Sequence, residues 1–333
     1  MRYPLKQKLT NNSLSRLGAL ALLCLWAAST SAAGLAPITQ VILFGDSLSD
    51  TGNAFQATGG GLPPAPPYFN GRVSNGLVWV EPMASDLGVS ITNYAVAGAK
   101  TGTGNVNEDD FPVLAGTGVQ AQVGQFTADL GSEAADPGAL YVVFGGANNF
   151  CQTCFIPGVD DPADFVNQGV TDILTAVGTL QATGAQKFLV FGLPDLGLTP
   201  RVNTNQILAA QLGLLTDAWN AALFGNLPNL GLGDNLRTID TAQILRDVVA
   251  DPGAFDLFNV TEACLFVGCN TQTINPLLDP DGFLFWDDIH PTRATHAILA
   301  DAAYNSVLIP IPPAVLLFAS AIGLLGWVKL GKT

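Results

Sequence analysis

With two histidines among its 333 residues, the chain has few side chains able to trade a proton near neutral pH. One of them, His290, lies in Asp287-Asp288-Ile289-His290-Pro291, so two carboxylates fall within three residues of it. A carboxylate bonded to one ring nitrogen fixes the tautomer and leaves the other nitrogen free to accept a proton from a nucleophile. The matching nucleophile is Ser47. It follows the apolar run Val41-Ile42-Leu43-Phe44 and Gly45, which reads as a strand buried on both faces and closed by a sharp turn. A serine delivered at the carboxyl end of such a strand sits where open α/β sheets hold their ligands. The plainer assignments are Ser47 as a helix cap, His290 as a capping residue at the surface and His296 as an ordinary helical residue.

Acyl chemistry at a serine also needs hydrogen-bond donors aimed at the negative charge that develops on the carbonyl oxygen. Gly98 and Asn148 each fall just past a predicted parallel strand. A backbone N–H at Gly98, the side-chain amide of Asn148 and the N–H of Ser47 itself are the candidate oxyanion hole. No Gly-x-Ser-x-Gly elbow is present, since residue 49 is Ser49, and this disfavours the other common α/β serine-hydrolase arrangement.

These residues need a scaffold that brings distant strand ends together, and strand and helix alternate along the chain in the manner of one. Apolar spacing predicts strands over 41–44, 91–96, 139–144, 187–191 and 236–240, with helices over 77–87, 116–130, 162–183, 203–223 and 291–307. Residues 55–68, rich in Gly and Pro, read as irregular loop, as do 251–281. Such alternation argues for a mostly parallel sheet covered by helices on both sides.

The strings GDSLSDTGN, YFNGRVSNGLVWVE, FGLPDLGLTP and FWDDIHPT resemble those of the GDSL or SGNH hydrolases. The four blocks of that family map onto Gly45-Asp46-Ser47-Leu48, onto Gly98 in Asn93-Tyr94-Ala95-Val96-Ala97-Gly98-Ala99, onto Asn148 in Gly146-Ala147-Asn148, and onto Asp287-x-x-His290. The resemblance covers about residues 38 to 306. It implies a flavodoxin-like three-layer α/β/α fold and an esterase or lipase, with Ser47 as nucleophile, His290 as base, Asp287 as its orienting acid and Ser47, Gly98 and Asn148 around the oxyanion. The branch it resembles includes bacterial lipases, phospholipid acyltransferases and autotransporter esterases. In one place the chain departs from the pattern: Asn149 stands where the family commonly carries an aspartate, and an amide there can still hold the loop by hydrogen bonds.

Composition narrows the partners. Charged residues make up 12% of the chain and the net charge is −14, so nothing is available to neutralise a run of phosphates and nucleic acid is excluded as a partner. No cofactor or metal is expected. Residues 1–33 read as a secretory signal: a basic leader, an apolar core over Leu17–Ala28 and a small-residue cleavage site at Ser31-Ala32-Ala33. Removal of that leader takes Cys24 and leaves Cys151, Cys154, Cys264 and Cys269, an even set in an exported chain, which reads as two disulfides of undetermined pairing. A domain over 34–306 precedes a terminal segment, 307–333, whose uncharged stretch Ala314–Val328 and closing lysines Lys329 and Lys332 read as a membrane helix with a basic stop. That tail resembles the PEP-CTERM type of sorting signal, which implies an exosortase-type processing enzyme as a partner.

Taken together, the expectation is an exported serine hydrolase acting on acyl-ester or lipid substrates in the periplasm or at the cell surface, tethered by its C-terminal helix or released from it. Two other functions fit the same chain: a non-catalytic surface protein that binds polymer, and a carbohydrate deacetylase or acyltransferase using the same residues.

Overall fold

Alternate residues of the central strands enter different cores, and this sets the architecture. In the computed structural model, which describes residues 34–35, 37–150, 162–269 and 278–308, Ile42, Phe44, Tyr141, Val143, Phe188 and Val190 line one core while Val41, Leu43, Leu140, Val142, Leu189 and Phe191 line another. A period of two with both faces buried is what a parallel strand between two helical layers requires.

In chain order the elements are β1 (Gln40–Gly45), α1 (Asn53–Ala57), α2 (Val80–Leu87), β2 (Ser90–Asn93), α3 (Val119–Leu130), β3 (Leu140–Phe144), α4 (Pro162–Ala182), β4 (Lys187–Phe191), α5 (Gln206–Asn226), β5 (Leu236–Ile239), α6 (Thr241–Ala250), β6 (Asn259–Ala263), β7 (Phe283–Phe285) and α7 (Arg293–Leu308). The main sheet has the order β2-β1-β3-β4-β5 and every pairing in it is parallel. Helices α3, α4 and α5 cover one face through Val123, Phe126, Val170, Ile173, Trp219 and Leu223. The other face carries α2 and α7 through Met83, Ala84, Leu299 and Ala303. This is the flavodoxin-like α/β/α arrangement, in which strand order reverses between β1 and β3 and opens a crevice at the carboxyl ends of the strands.

The sequence expectation for the sheet holds, with local differences. β2 ends at Asn93, three residues short of the predicted strand, because the side chain of Asn93 turns back to its own chain and accepts from Ala95 N–H at 2.8 Å. α6 is missing from the sequence reading, although Asp240 caps it by accepting from Gln243 N–H at 3.0 Å. Residues 251–281, expected to be loop, contain β6, which pairs in parallel with β7. β6 carries the polar string NVTEA with no alternating apolar pattern, and β7 has only three residues, so neither gives a periodic signal. At the C-terminal edge, α7 runs to Leu308. Val307 is wholly buried and its carbonyl accepts the N–H of Leu35 at 2.8 Å, so α7 packs on the fold as far as its last turn. The signal segment, Cys151, Cys154 and the membrane-like tail lie outside the described residues.

Candidate active site

Ser47 is placed by backbone geometry. Gly45 ends β1 opposite Phe144 of β3, and a Cβ on it would stand 2.3 Å from the Phe144 carbonyl oxygen, so only glycine lets the two strand ends approach. The side-chain amide of Gln122 on α3 then grips the Gly45 peptide from both sides, accepting from its N–H at 2.8 Å and donating to its carbonyl at 2.9 Å. Behind the serine, the buried carboxylate of Asp50 collects four backbone N–H groups, those of Gly52, Asn53, Ala54 and Ala97, at 2.6 to 3.0 Å. That side chain ties the turn after β1 to the segment leading to Gly98. Sequence reasoning overlooks Asp50; its only signal is its place in the GDSLSDTGN string.

His290 arrives differently. β7 runs into a closed turn in which Trp286 N–H donates to the His290 carbonyl at 2.7 Å. The carboxylate of Asp287 accepts from the N–H groups of Ile289 and His290 at 2.9 and 2.7 Å, so it builds its own loop. The same carboxylate meets His290 Nδ1, 2.8 Å from Oδ2, and the other ring nitrogen, Nε2, stands 2.9 Å from Ser47 Oγ. Burial alone would raise the Asp287 carboxyl. The charge and hydrogen bond of His290 and the two backbone N–H groups outweigh it and hold the group down at about 2, so it is ionised across the working pH range. Asp288, the other carboxylate of the motif, is engaged elsewhere, in a two-pronged ion pair with Arg201 at 2.7 and 2.9 Å.

Gly98 and Asn148 come from loops after β2 and β3. Asn148 lines the same pocket as Ser47 and His290. One of its amide hydrogens is donated to the Ala99 carbonyl at 3.1 Å, which couples it to the Gly98 segment and leaves the second hydrogen for a ligand. Gly98 has φ of +85°, and a Cβ there would collide with Asn107 Nδ2 at 2.2 Å. Asn149 holds its loop as an amide can: Oδ1 accepts from Thr101 N–H at 2.9 Å and Nδ2 donates to Thr101 Oγ1 at 2.6 Å.

A pocket of about 720 Å³, counted with its open mouth, begins at Ser47 and His290 and runs between α6, β7 and α7 past Leu196, Leu245, Leu284 and Leu299. Its walls are mainly aliphatic. Asp46 lines the pocket and is itself buried, and burial, only partly offset by the Leu48 N–H and the nearby His290, pushes its carboxyl up to about 6. His296 takes no part in this site. It is fully buried, its Nδ1 accepts from Trp79 N–H at 3.3 Å, and burial, followed by the influence of His290, lowers it to about 3. It is the helical residue expected, at a depth that helical spacing does not report. Cys264 and Cys269 sit side by side with their Cα atoms 5.3 Å apart. Among the described residues no three His, Cys, Asp or Glu side chains gather as metal ligands.

A serine, an imidazole and a buried carboxylate in this order, with an amide beside the serine and an apolar pocket before it, define the equipment of an acyl-ester hydrolase. The chain belongs to the GDSL-like lipase/acylhydrolase family, whose pattern matches residues 41–303, and it is a carboxylic ester hydrolase of that family. It is 27% identical over 325 residues to the phosphatidylcholine-sterol acyltransferase of Aeromonas hydrophila, covering 85% of this chain and 94% of that protein. It is also 27% identical over 289 residues to the thermolabile hemolysin of Vibrio parahaemolyticus, of which the match spans 64%. A solved lipolytic protein of the G-D-S-L family from Veillonella parvula is 15% identical, with 80% of this chain and 96% of that one aligned and a TM-score of 0.46.

Proposed function

We propose that the protein is an exported serine esterase or lipase that cleaves acyl esters through a covalent acyl-enzyme. The observation that carries this reading is the continuous pair of contacts from Asp287 to His290 Nδ1 and from His290 Nε2 to Ser47 Oγ, at 2.8 and 2.9 Å. His290 takes the Ser47 proton as Oγ attacks the ester carbonyl, and Asp287 stabilises the imidazolium. The N–H groups of Ser47 and Gly98 and the free amide hydrogen of Asn148 meet the oxyanion. Collapse of the tetrahedral intermediate breaks the ester C–O bond, and His290 returns its proton to the departing alcohol. Water then enters, gives a proton to His290 and releases the acid by the reverse sequence. The pocket along Leu196, Leu245, Leu284 and Leu299 accommodates the acyl chain.

Export by the N-terminal signal and retention by the 307–333 segment complete the proposal, together with a disulfide between Cys264 and Cys269 that suits an oxidising compartment. A second reading, transfer of the acyl group to an alcohol in place of water, draws on the likeness to the Aeromonas acyltransferase. Fluorophosphonate labelling followed by peptide mapping tests the first reading. The label is expected on Ser47 and absent from Ser47→Ala, and labelling that survives this substitution defeats the assignment. Product analysis with an added sterol or glycerol acceptor separates hydrolysis from transfer.

A further inference from the structure

The string YFNGRVSNG supplies no reacting group, yet its residues wrap the loop that carries the base. Ser74 Oγ donates to the Pro291 carbonyl at 2.9 Å, and Asn75 Oδ1 accepts from the N–H of Arg293 at 2.7 Å. Between these anchors and the acid stands Tyr68, whose hydroxyl donates to Asp287 Oδ2 at 2.8 Å. That oxygen also accepts from His290 Nδ1. We propose that Tyr68 is a positioning residue of the hydrolase, acting through Asp287 to fix the carboxylate and to temper the charge it presents to His290. The inference rests on the serine-esterase reading of the site.

The geometry explains why a side chain is needed there. Oδ1 of Asp287 is held by two backbone N–H groups of its own turn, but these share one oxygen and leave the carboxylate free to pivot about it. A donor on Oδ2 from a different part of the chain removes that freedom, and the bond to an ionised acceptor is among the stronger kinds. The ring is fixed in turn. It packs against the cluster of Cys264, Cys269, Phe283 and Trp286, and the turn bearing the two cysteines is tied to β7 and the next residue by Cys264 N–H to the Phe285 carbonyl and Leu265 N–H to the Trp286 carbonyl, at 3.0 and 2.8 Å. The phenol cannot become an acceptor at Asp287: burial, and then the Asp287 charge, push it far above its usual value, so it remains a donor wherever His290 titrates.

A hydroxyl that draws electron density from Asp287 weakens its grip on the imidazolium. Other titratable groups face His290 as well: Asp46 after β1 and the neutral His296 on α7, with the Asp288–Arg201 pair bordering Tyr68. Tyr68→Phe leaves all of them in place and keeps the ring. In the full chain this change is expected to lower kcat about tenfold with KM within about twofold, the size of one hydrogen bond to a charged group. The acid limb of the activity profile should move to higher pH by about half a unit, because Asp287 then stabilises the imidazolium more strongly.

A packing role alone predicts no movement of that limb. Asp287→Ala provides the second test: on that background Tyr68→Phe should cost nothing further, since its only target is gone. Should Tyr68→Phe fail to fold by circular dichroism, uniform replacement of tyrosine by 3-fluorotyrosine, a stronger donor, must move the acid limb down instead. Unchanged kcat and limb in folded Tyr68→Phe, a further tenfold loss on the Asp287→Ala background, or an unmoved limb in the fluorinated protein overturns the inference. Retention of the parent rate by Ser47→Ala would sink the serine-esterase reading itself, which these outcomes leave separate.

Discussion

The two halves of the site are held by different means. Ser47 hangs from the main sheet, where the Gly45 backbone passes close to Phe144 and Gln122 clamps its peptide. Asp287 and His290 follow the three-residue strand β7 and depend on side chains, including Tyr68, Ser74 and Asn75, that reach in from residues more than two hundred positions earlier. Backbone placement tolerates little change at a few positions and is indifferent elsewhere. Side-chain placement spreads the same task over many weaker contacts, each of which can be adjusted without losing the fold.

The halves also differ in how burial acts on their charges. Asp46, beside the nucleophile, has its carboxyl raised to about 6 by burial. Its contribution to stability is complete below the ordinary 3.8 and is lost as pH rises through 6. His296, on the helix that follows the base, is lowered to about 3, again by burial. Its contribution is present above the ordinary 6.5 and is lost as pH falls toward 3. Between roughly pH 4 and 6 the two oppose each other, so their contributions to the pH dependence of stability partly cancel.

The comparison can be broken at several points. Removing the nucleophile should have the largest effect: Ser47→Ala is expected to cost about 10⁵- to 10⁶-fold in kcat on a short acyl ester with the thermal midpoint unchanged. Activity within a hundredfold of the parent would place the nucleophile elsewhere. On the base side, Asp287→Asn keeps an oxygen for the Ile289 and His290 N–H groups but loses the charge, and a drop of about 10⁴-fold is expected. A loss under tenfold would mean that His290 is oriented without its acid.

Asn148→Ala should lower kcat by about a hundredfold or more, with KM little changed, because its free hydrogen serves the transition state. Asn149→Ala, by contrast, should loosen the loop on Thr101 and register mainly as lost stability. Reversal of these two results would show the donor to be misassigned by one residue. Smallest is the effect of Asp46→Asn, which removes a charge held at a cost. Relative to the parent, its unfolding free energy in urea should rise by about 2 kcal/mol between pH 4 and pH 7. A difference that stays constant with pH would contradict the shift.

Much of the nucleophile half is legible in the sequence because its causes are local. An apolar strand, a glycine and a serine are contiguous, and the strand ends at Gly98 and Asn148 are marked by glycines and amides where chain direction must change. The parallel sheet is legible for the same reason, since residues buried on both faces leave a continuous apolar signature in 41–44, 140–144 and 187–191. β6 escapes because its residues are mostly polar and show no apolar alternation, β7 because it has only three residues, and Tyr68 because nothing in a Gly- and Pro-rich stretch marks which side chain turns inward. His296 is a helical residue outside the site, as read, but its burial is not legible for a related reason: helical spacing reports which face a residue lies on, but not how many layers cover it.

The residue types by themselves offered Ser47, His290 and two neighbouring carboxylates, of which only the family resemblance singled out Asp287, and gave the alternation of strand and helix, because these depend on side-chain chemistry and on periodicities within a few residues. Tertiary structure decided which carboxylate serves His290. Asp287 and Asp288 are neighbours of the same charge, and only the positions of Arg201, Tyr68 and Ser47 after folding separate them: Arg201 occupies Asp288, whereas Tyr68 and His290 converge on Asp287. Contacts over such separations have no local signature, since a chain can bring almost any pair of distant residues together, and the pair it does bring together follows from packing the whole sheet at once.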